Sequence, residues 1–369
     1  MIKRFTIISL MLFPVVLAMG QEDKEHLFRT DTVEFIRDVQ ILGLPLLFYT
    51  PETSFGAGLG GQIFFNNRRN LYNNRVSNLF VTGIYTVNKQ LSVTLTPQFY
   101  FFDGLMYLEG EFLYRIYPNS FWGLGGDTPE AAEERYNMKT LSARVSLVNR
   151  IPPSLNFGFE YEYEKHEMLE VEEGGLLDAG DIAGSEGART SGLSFILDYD
   201  TRDNIYSTVG GAYLIFKGGF SAKTFGATHA FNRYLIDLRK YFILADKHTL
   251  AIQSYFESAS GNVPFQSMSW LGGPNRNRGF FNGRYMDNLY LVFQAELRLR
   301  IVKRLNVNGF LSVGQVSQSS ERFFNYPKTS GGVGVRYQIL KSNPTLIRLD
   351  FGVNQYGDSG VYFGVNEVF

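Results

Sequence analysis

Side chains able to do acid, base or metal chemistry are thinly spread in this 369-residue chain. The four histidines, His26, His166, His229 and His248, fall in separate segments, and no spacing puts two of them on one metal ion. Cysteine is absent, which excludes a disulfide framework, a zinc-thiolate site and a lipid anchor on sulfur. Segment 169–188 gathers Glu170, Glu172, Glu173, Asp178, Asp181 and Glu186 among glycines, but not at the spacing of a calcium loop, so solvated acids are the simpler reading. A rim enzyme would need serine and histidine, or paired aspartates, brought together from distant segments, and nothing in the sequence singles out such a set. The expectation is a protein without an active site, a metal or a cofactor.

The rest of the sequence speaks of position rather than reactivity. Lys3 and Arg4 precede a largely apolar run from Phe5 to Met19, with Ala18 and Gly20 as the small residues of a cleavage site. That pattern predicts a secretory signal over residues 1–20. The formal net charge is −1, and removal of the leader makes the remainder slightly more acidic, so nothing favours nucleic acid as a partner. After the leader, the longest apolar stretch is Ile41 to Tyr49, far below the roughly 20 residues of a spanning helix. If the chain crosses a membrane, it does so with strands.

Period-two alternation runs throughout. Leu289, Leu291, Phe293, Ala295, Leu297, Leu299 and Ile301 alternate with Asn288, Gln294, Glu296, Arg298 and Arg300. Leu155, Phe157, Phe159, Tyr161 and Tyr163 alternate with Asn156, Glu160, Glu162 and Glu164. Charges on the second face suit a barrel with lipid outside and polar side chains within. A soluble sandwich alternates too, so connection lengths have to separate the two.

Sixteen strands are expected, near 43–50, 53–66, 76–87, 89–102, 104–117, 138–150, 153–168, 189–200, 206–221, 224–241, 247–260, 287–301, 304–316, 330–340, 344–355 and 359–369. Turns on one side are short, as at Asp103-Gly104 and Val302–Arg304, whereas 118–137, 169–188, 261–286 and 317–329 on the other side are long. This asymmetry belongs to an outer-membrane barrel and not to a sandwich. Asn66 to Arg75 is longer than its side of the barrel requires. The fold class read from the sequence is therefore all-β, a closed antiparallel transmembrane barrel. It divides into a leader (1–20), a short periplasmic segment (21–42) and the barrel (43–369). Phe28, Phe35, Ile36, Val39 and Leu42 would share one face if residues 21–42 were helical, although Asp31 and Thr32 interrupt it.

The closure of such a barrel has a weak place. Pro45 lies within the first strand and Pro51 ends it, and proline cannot donate to a ladder. The last strand carries Gly360 and Gly364, both poor strand formers. The seam between first and last strands is thus a candidate opening. The final residue, Phe369, is the aromatic end that outer-membrane strands present to their insertion machinery.

Four stretches resemble the BamA/TamA-type bacterial surface antigens. They are Leu44–Gly60; Asp200–Asn204 (DTRDN) with Gly210-Gly211; Leu271–Arg298, containing LGGPNRNRGFFNGRYMDN; and Gly334–Tyr337 with Arg348–Gly352 and Phe369. Phe121–Asp127 (FWGLGGD) is similar to that family's third external loop. The resemblance implies a sixteen-stranded barrel with a loop folded inward through an Arg-Gly-aromatic tip, here Arg278, Gly279 and Phe280. A buried arginine needs an anion, because an unpaired buried charge costs several kcal/mol. Glu296 stands where the family supplies one acid. On the next strand, where a second acid is usual, this chain has Ser312, so the clamp is either looser or borrows another acid such as Asp350. The family's periplasmic polypeptide-transport-associated domains are not expected, since an independent domain needs about 50 residues.

The function this implies is outer-membrane protein assembly, insertion or translocation through the seam and the inward loop. Its partners would be outer-membrane lipid, the insertion machinery that reads the last strand, client outer-membrane or surface proteins, and separate periplasmic accessory proteins. The alternative is a passive or solute-selective channel on the same scaffold.

Overall fold

The computed structural model describes residues 39–50, 54–65, 77–204, 207–245, 248–322, 324–338 and 346–369. The expected leader, most of segment 21–42, His26, Pro51, the Asn66–Arg75 turn and the turn at 341–343 lie outside the described residues. Sixteen strands form one antiparallel sheet in chain order. They are β1 (Val39–Thr50), β2 (Ser54–Phe65), β3 (Ser77–Thr86), β4 (Leu91–Phe101), β5 (Met106–Phe121), β6 (Glu134–Ile151), β7 (Leu155–Val171), β8 (Ala188–Asp200), β9 (Gly211–Ser221), β10 (Phe231–Leu244), β11 (His248–Gly261), β14 (Leu289–Val302), β15 (Leu305–Ser317), β16 (Lys328–Gln338), β17 (Leu346–Asn354) and β18 (Ser359–Val365). A separate hairpin, β12 (Ser269–Leu271) with β13 (Tyr285–Asp287), lies within the β11–β14 connection. The sheet wraps round until β1 and β18 lie side by side, with Cα atoms within 8 Å. No ladder joins the described residues of these two strands.

Burial follows the alternation. On β14, Tyr290, Val292, Gln294, Glu296 and Arg298 are buried, while Phe293 and Leu297 are exposed. Phe159, Leu193, Leu238, Leu311, Val333 and Leu349 are likewise exposed. An apolar exterior around a polar, charged interior inverts the soluble pattern and fits a barrel in lipid. No helix among the described residues is long and apolar enough to span a membrane; strands satisfy their backbone groups on each other instead.

Several boundaries differ from the sequence reading. β1 begins at Val39, before residue 43. The loop expected over 118–137 shrinks to 122–133, because β5 and β6 run on in register from Met106↔Asn149 to Phe121↔Glu134. At about 3.3 Å per residue and a tilt near 40°, the 18 residues of β6 rise roughly 45 Å, well beyond an apolar band of about 25 Å. β10 starts at Phe231 and not at 224, since Lys223–Phe225 form a 3-10 turn closed by Gly226 at φ +89°.

The last strand ends at Val365 and not at 369, because Asn366 takes φ +64°. The reason is legible in parity. Tyr362 and Gly364 pair with the inward-facing Asp350 and Arg348. Another extended step past Asn366 would therefore turn Glu367 toward lipid, where a charge is costly.

Candidate functional site

The β11–β14 loop enters the barrel and places Arg278 on two acids from separate strands. Its Nη1 donates to Asp350 Oδ2 at 2.7 Å and its Nη2 to Glu296 Oε2 at 2.8 Å. The guanidinium lies 3.4 Å from the Phe310 ring centroid, and the residue is 1% exposed. Of the two alternatives, the clamp uses Asp350. Ser312 instead accepts a hydrogen bond from Asn277 Nδ2 at 3.4 Å, and Tyr290 donates to Asn277 Oδ1 at 2.9 Å.

Gly279 needs its glycine twice over. Its φ is +112°, and an added Cβ would meet Val353 C at 2.8 Å and Asn354 N at 2.9 Å. Its N–H donates to the Tyr362 hydroxyl at 2.9 Å, and its carbonyl accepts from Asn354 Nδ2 at 3.2 Å. From the wall, Gly352 leaves the matching space, since a Cβ there would sit 2.8 Å from the Arg278 carbonyl. Phe280, 2% exposed, packs edge-on to Tyr285 and Tyr356.

The clamp belongs to a larger ring of charge. Glu296 Oε1 accepts from Arg298 Nε at 3.0 Å, and Arg298 Nε lies 3.7 Å from Glu367 Oε2. Glu367 Oε2 also accepts from Arg336 Nε at 2.8 Å, and Arg336 bonds Asp350. The circuit Arg278–Glu296–Arg298–Glu367–Arg336–Asp350 closes on itself, with every side chain at most 6% exposed. Arg348 stands beside it, 3.9 Å from Asp350, and among the described residues its Nε and Nη1 find no hydrogen-bond partner. Glu367 comes from the four residues after β18, which turn into the lumen. Phe369 is buried against Tyr241 and Ala251, and its carbonyl accepts from Arg298 Nη2 at 2.6 Å. It thus lies inside the barrel, away from the outer face that an extended last strand would have given it.

Above the clamp the external segments form a cap. Phe121, Tyr136, Met138, Leu177, Phe265 and Met286 pack into one apolar cluster. Trp122 meets Phe281 edge-on at 5.4 Å, and Gly125 bridges to Met286. Arg284 donates to Thr128 Oγ1 and to the Thr128 carbonyl, both at 2.9 Å. The FWGLGGD segment is thereby tied to the inward loop.

Other residues read from the sequence stay apart from this centre. His166 contacts Thr140 Oγ1 and Glu164, His248 accepts from the Arg300 N–H, and among the described residues no group of His, Asp and Glu could hold a metal. Partial burial, then neighbouring Lys223, lowers the pKa of His229 in its external turn. The acids near 169–188 hold backbone: Glu172 accepts from Arg135 N–H, and Asp178 from Gly174 N–H. In the DTRDN turn Arg202 forks onto Asp200 at 2.9 and 2.8 Å. At the seam, Pro45 is exposed opposite Leu59, Gly360 is buried opposite Gly352, and Gly364 pairs with Arg348.

Sequence reasoning missed the tail and the roles of Arg298, Arg336 and Glu367. Strand parity, which would face Glu367 to lipid, was the available signal.

The Omp85 superfamily domain model matches residues 54–369. BamA from Haemophilus ducreyi lacking POTRA domains 1–3 superposes with a TM-score of 0.63 at 14% identity, covering 89% of this chain and 70% of that one. CdiB from Acinetobacter baumannii gives 0.59 at 15% identity, over 90% of this chain and 60% of that one. CdiB from Escherichia coli gives 0.58 at 13% identity, over 89% and 62%. No curated protein matches the chain. The chain spans roughly two thirds of the length of these solved structures, and at such identities they show the fold alone.

Proposed function

Because this chain belongs to the Omp85 superfamily, and because a clamped loop occupies its lumen from the external side, we propose that it assembles, inserts or translocates other outer-membrane or surface proteins by way of the seam. The observation that carries this reading is the contrast between the two exits. The lumen is capped by packed external segments, whereas β1 and β18 adjoin without a ladder between their described residues. Breaking such an adjacency costs fewer hydrogen bonds than parting any other strand pair. In this reading the barrel sits in the outer membrane with lipid against its apolar belt. Clients reach it from separate periplasmic proteins, and the loop clamp keeps the wall near the seam in register.

Two experiments test it. The chain has no cysteine, so one cysteine placed in 43–50 and one in 359–365 form an unambiguous pair. Oxidation should abolish function and reduction restore it; full activity while cross-linked would sink the seam. Quantitative proteomics of outer membranes after depletion should show a defined set of proteins falling, rescued by wild type and poorly by Arg278→Ala. A second reading, a solute channel, rests on the partly exposed charged wall of β6–β11 around a cavity of about 210 Å³. It predicts an unchanged proteome and ion conductance that rises when residues 262–286 are deleted.

A further inference from the structure

We propose that Arg298, Arg336, Asn308, Tyr241 and Ala251 form a luminal receptor for a peptide segment of the pattern acidic, any residue, aromatic, and that Glu367-Val368-Phe369 is its resting occupant. The site is built rather than incidental. Arg298 is 5% exposed, and Arg336 and Asn308 are fully buried. The guanidinia of Arg298 and Arg336 and the Asn308 amide converge on Glu367 Oε2, at 3.7, 2.8 and 3.3 Å. Two residues on, the Phe369 ring packs on Tyr241 and Ala251, with the Arg298 guanidinium 5.6 Å from its centroid. One charged contact and one apolar contact, spaced two residues apart, with the Phe369 main-chain oxygen held by Arg298 Nη2, define what the site takes.

The occupant is held in a way that lets it leave. Asn366 donates its N–H to the Leu346 carbonyl at 2.7 Å, and beyond it no backbone N–H of 367–369 bonds another backbone carbonyl among the described residues. Everything further rests on the Glu367 and Phe369 side chains, on Val368 packed beside them and on the Phe369 main-chain oxygen. The left-handed Asn366, at φ +64°, is a one-residue hinge between the ladder and the tail. Arg298 Nη1 also donates to the Thr208 carbonyl at 3.0 Å. This puts the site beside the 201–210 turn, on the short-turn side of the barrel where a segment from the periplasm would enter.

Occupancy is coupled to the loop. Without Glu367 the side chains of the cluster leave Arg278, Arg298, Arg336 and Arg348 against the two carboxylates Glu296 and Asp350, with the Phe369 main-chain oxygen on Arg298, so an arriving carboxylate replaces a needed charge. The proposal goes beyond the seam reading and stands or falls without any client, since the binding is scored on the purified barrel.

The test uses the full chain in detergent carrying Glu367→Gln and Phe369→Ala, which empties the site, and a fluorescent Asn-Glu-Val-Phe peptide blocked at both ends. Saturable binding is expected. It should be at least about tenfold weaker for the Glu-to-Gln peptide, and lost when Arg336→Met is added to the receptor. Absence of saturable binding, or binding indifferent to both changes, overturns the proposal. If the emptied variant loses the heat-modifiable gel mobility of a folded barrel, a Val368→Cys spin label in the otherwise native chain replaces it. The label should be immobile at rest and released by peptide at about millimolar concentration, the scale of a tethered competitor, but not by the Gln peptide. No release overturns the proposal equally.

Discussion

Two clusters of charge face the lumen, and they differ in everything but ingredients. Where the inward loop meets β14–β17, Arg278, Arg336, Glu296 and Asp350 are at most 1% exposed, and Arg278 bonds its two acids at 2.7 and 2.8 Å. On β6–β7, Arg144 is 32% exposed and meets Glu111, Glu160, Glu162 and Glu164 at 3.3–3.5 Å. The difference is what lies over them. The first cluster is covered by the loop tip and the tail, whereas the second borders the cavity between β6 and β11. Where water is excluded, pairing must be complete and geometry becomes specific; where water enters, it screens the charges and the contacts can exchange.

That contrast can be broken first at the clamp. Arg278→Ala should cost about 3–5 kcal/mol, toward the lower end because Glu296 retains Arg298 and Asp350 retains Arg336. Unfolding in urea and protease cleavage within 262–286 would read it, and an uncleaved loop would mean that the ion pairs do not hold the tip. Next is Gly279→Ala, which forces a Cβ into the β17 backbone at positive φ; a loss of about 1–3 kcal/mol is expected from strain. An unchanged midpoint would show that the tip does not rest on β17. Smallest is Arg144→Ala, expected to cost within about 1 kcal/mol as a partly exposed group. A loss as large as that of Arg278→Ala would erase the distinction between the two walls. Salt sharpens the same comparison. Going from 0.1 to 1 M shortens the screening length from about 10 to about 3 Å, which should lessen the Arg144→Ala effect and leave loop protection in the wild type unchanged.

The barrel was largely legible because period-two alternation and loop asymmetry are local. Each strand of the sixteen-stranded sheet was placed from its own residues, with ends in error where strands stand out of the membrane, as in β5 and β6, or where a positive φ stops one, as at Asn366, whereas the β12–β13 hairpin fell within an expected loop. The clamp was legible in part. Arg278, Gly279, Phe280 and Glu296 follow from a motif and from strand parity, while Asp350 stood only as one alternative. Its choice depended on β17 and β14 reaching the same depth, a matter of register that no local pattern states.

By itself the sequence determined which residues face lipid and which face the lumen, because side chains alternate with the backbone whatever the strand's neighbours do. It also determined that the loop tip must carry a glycine and that its arginine must find an acid. Only the tertiary structure decided which acid, that Arg298 and Arg336 complete a ring, and that Glu367 and Phe369 turn inward to close it. Buried charges choose partners by three-dimensional distance, and these lie on strands and a tail as many as 89 residues apart, from Arg278 to Glu367. Such pairings exist only once the loop, these strands and the tail have been brought together.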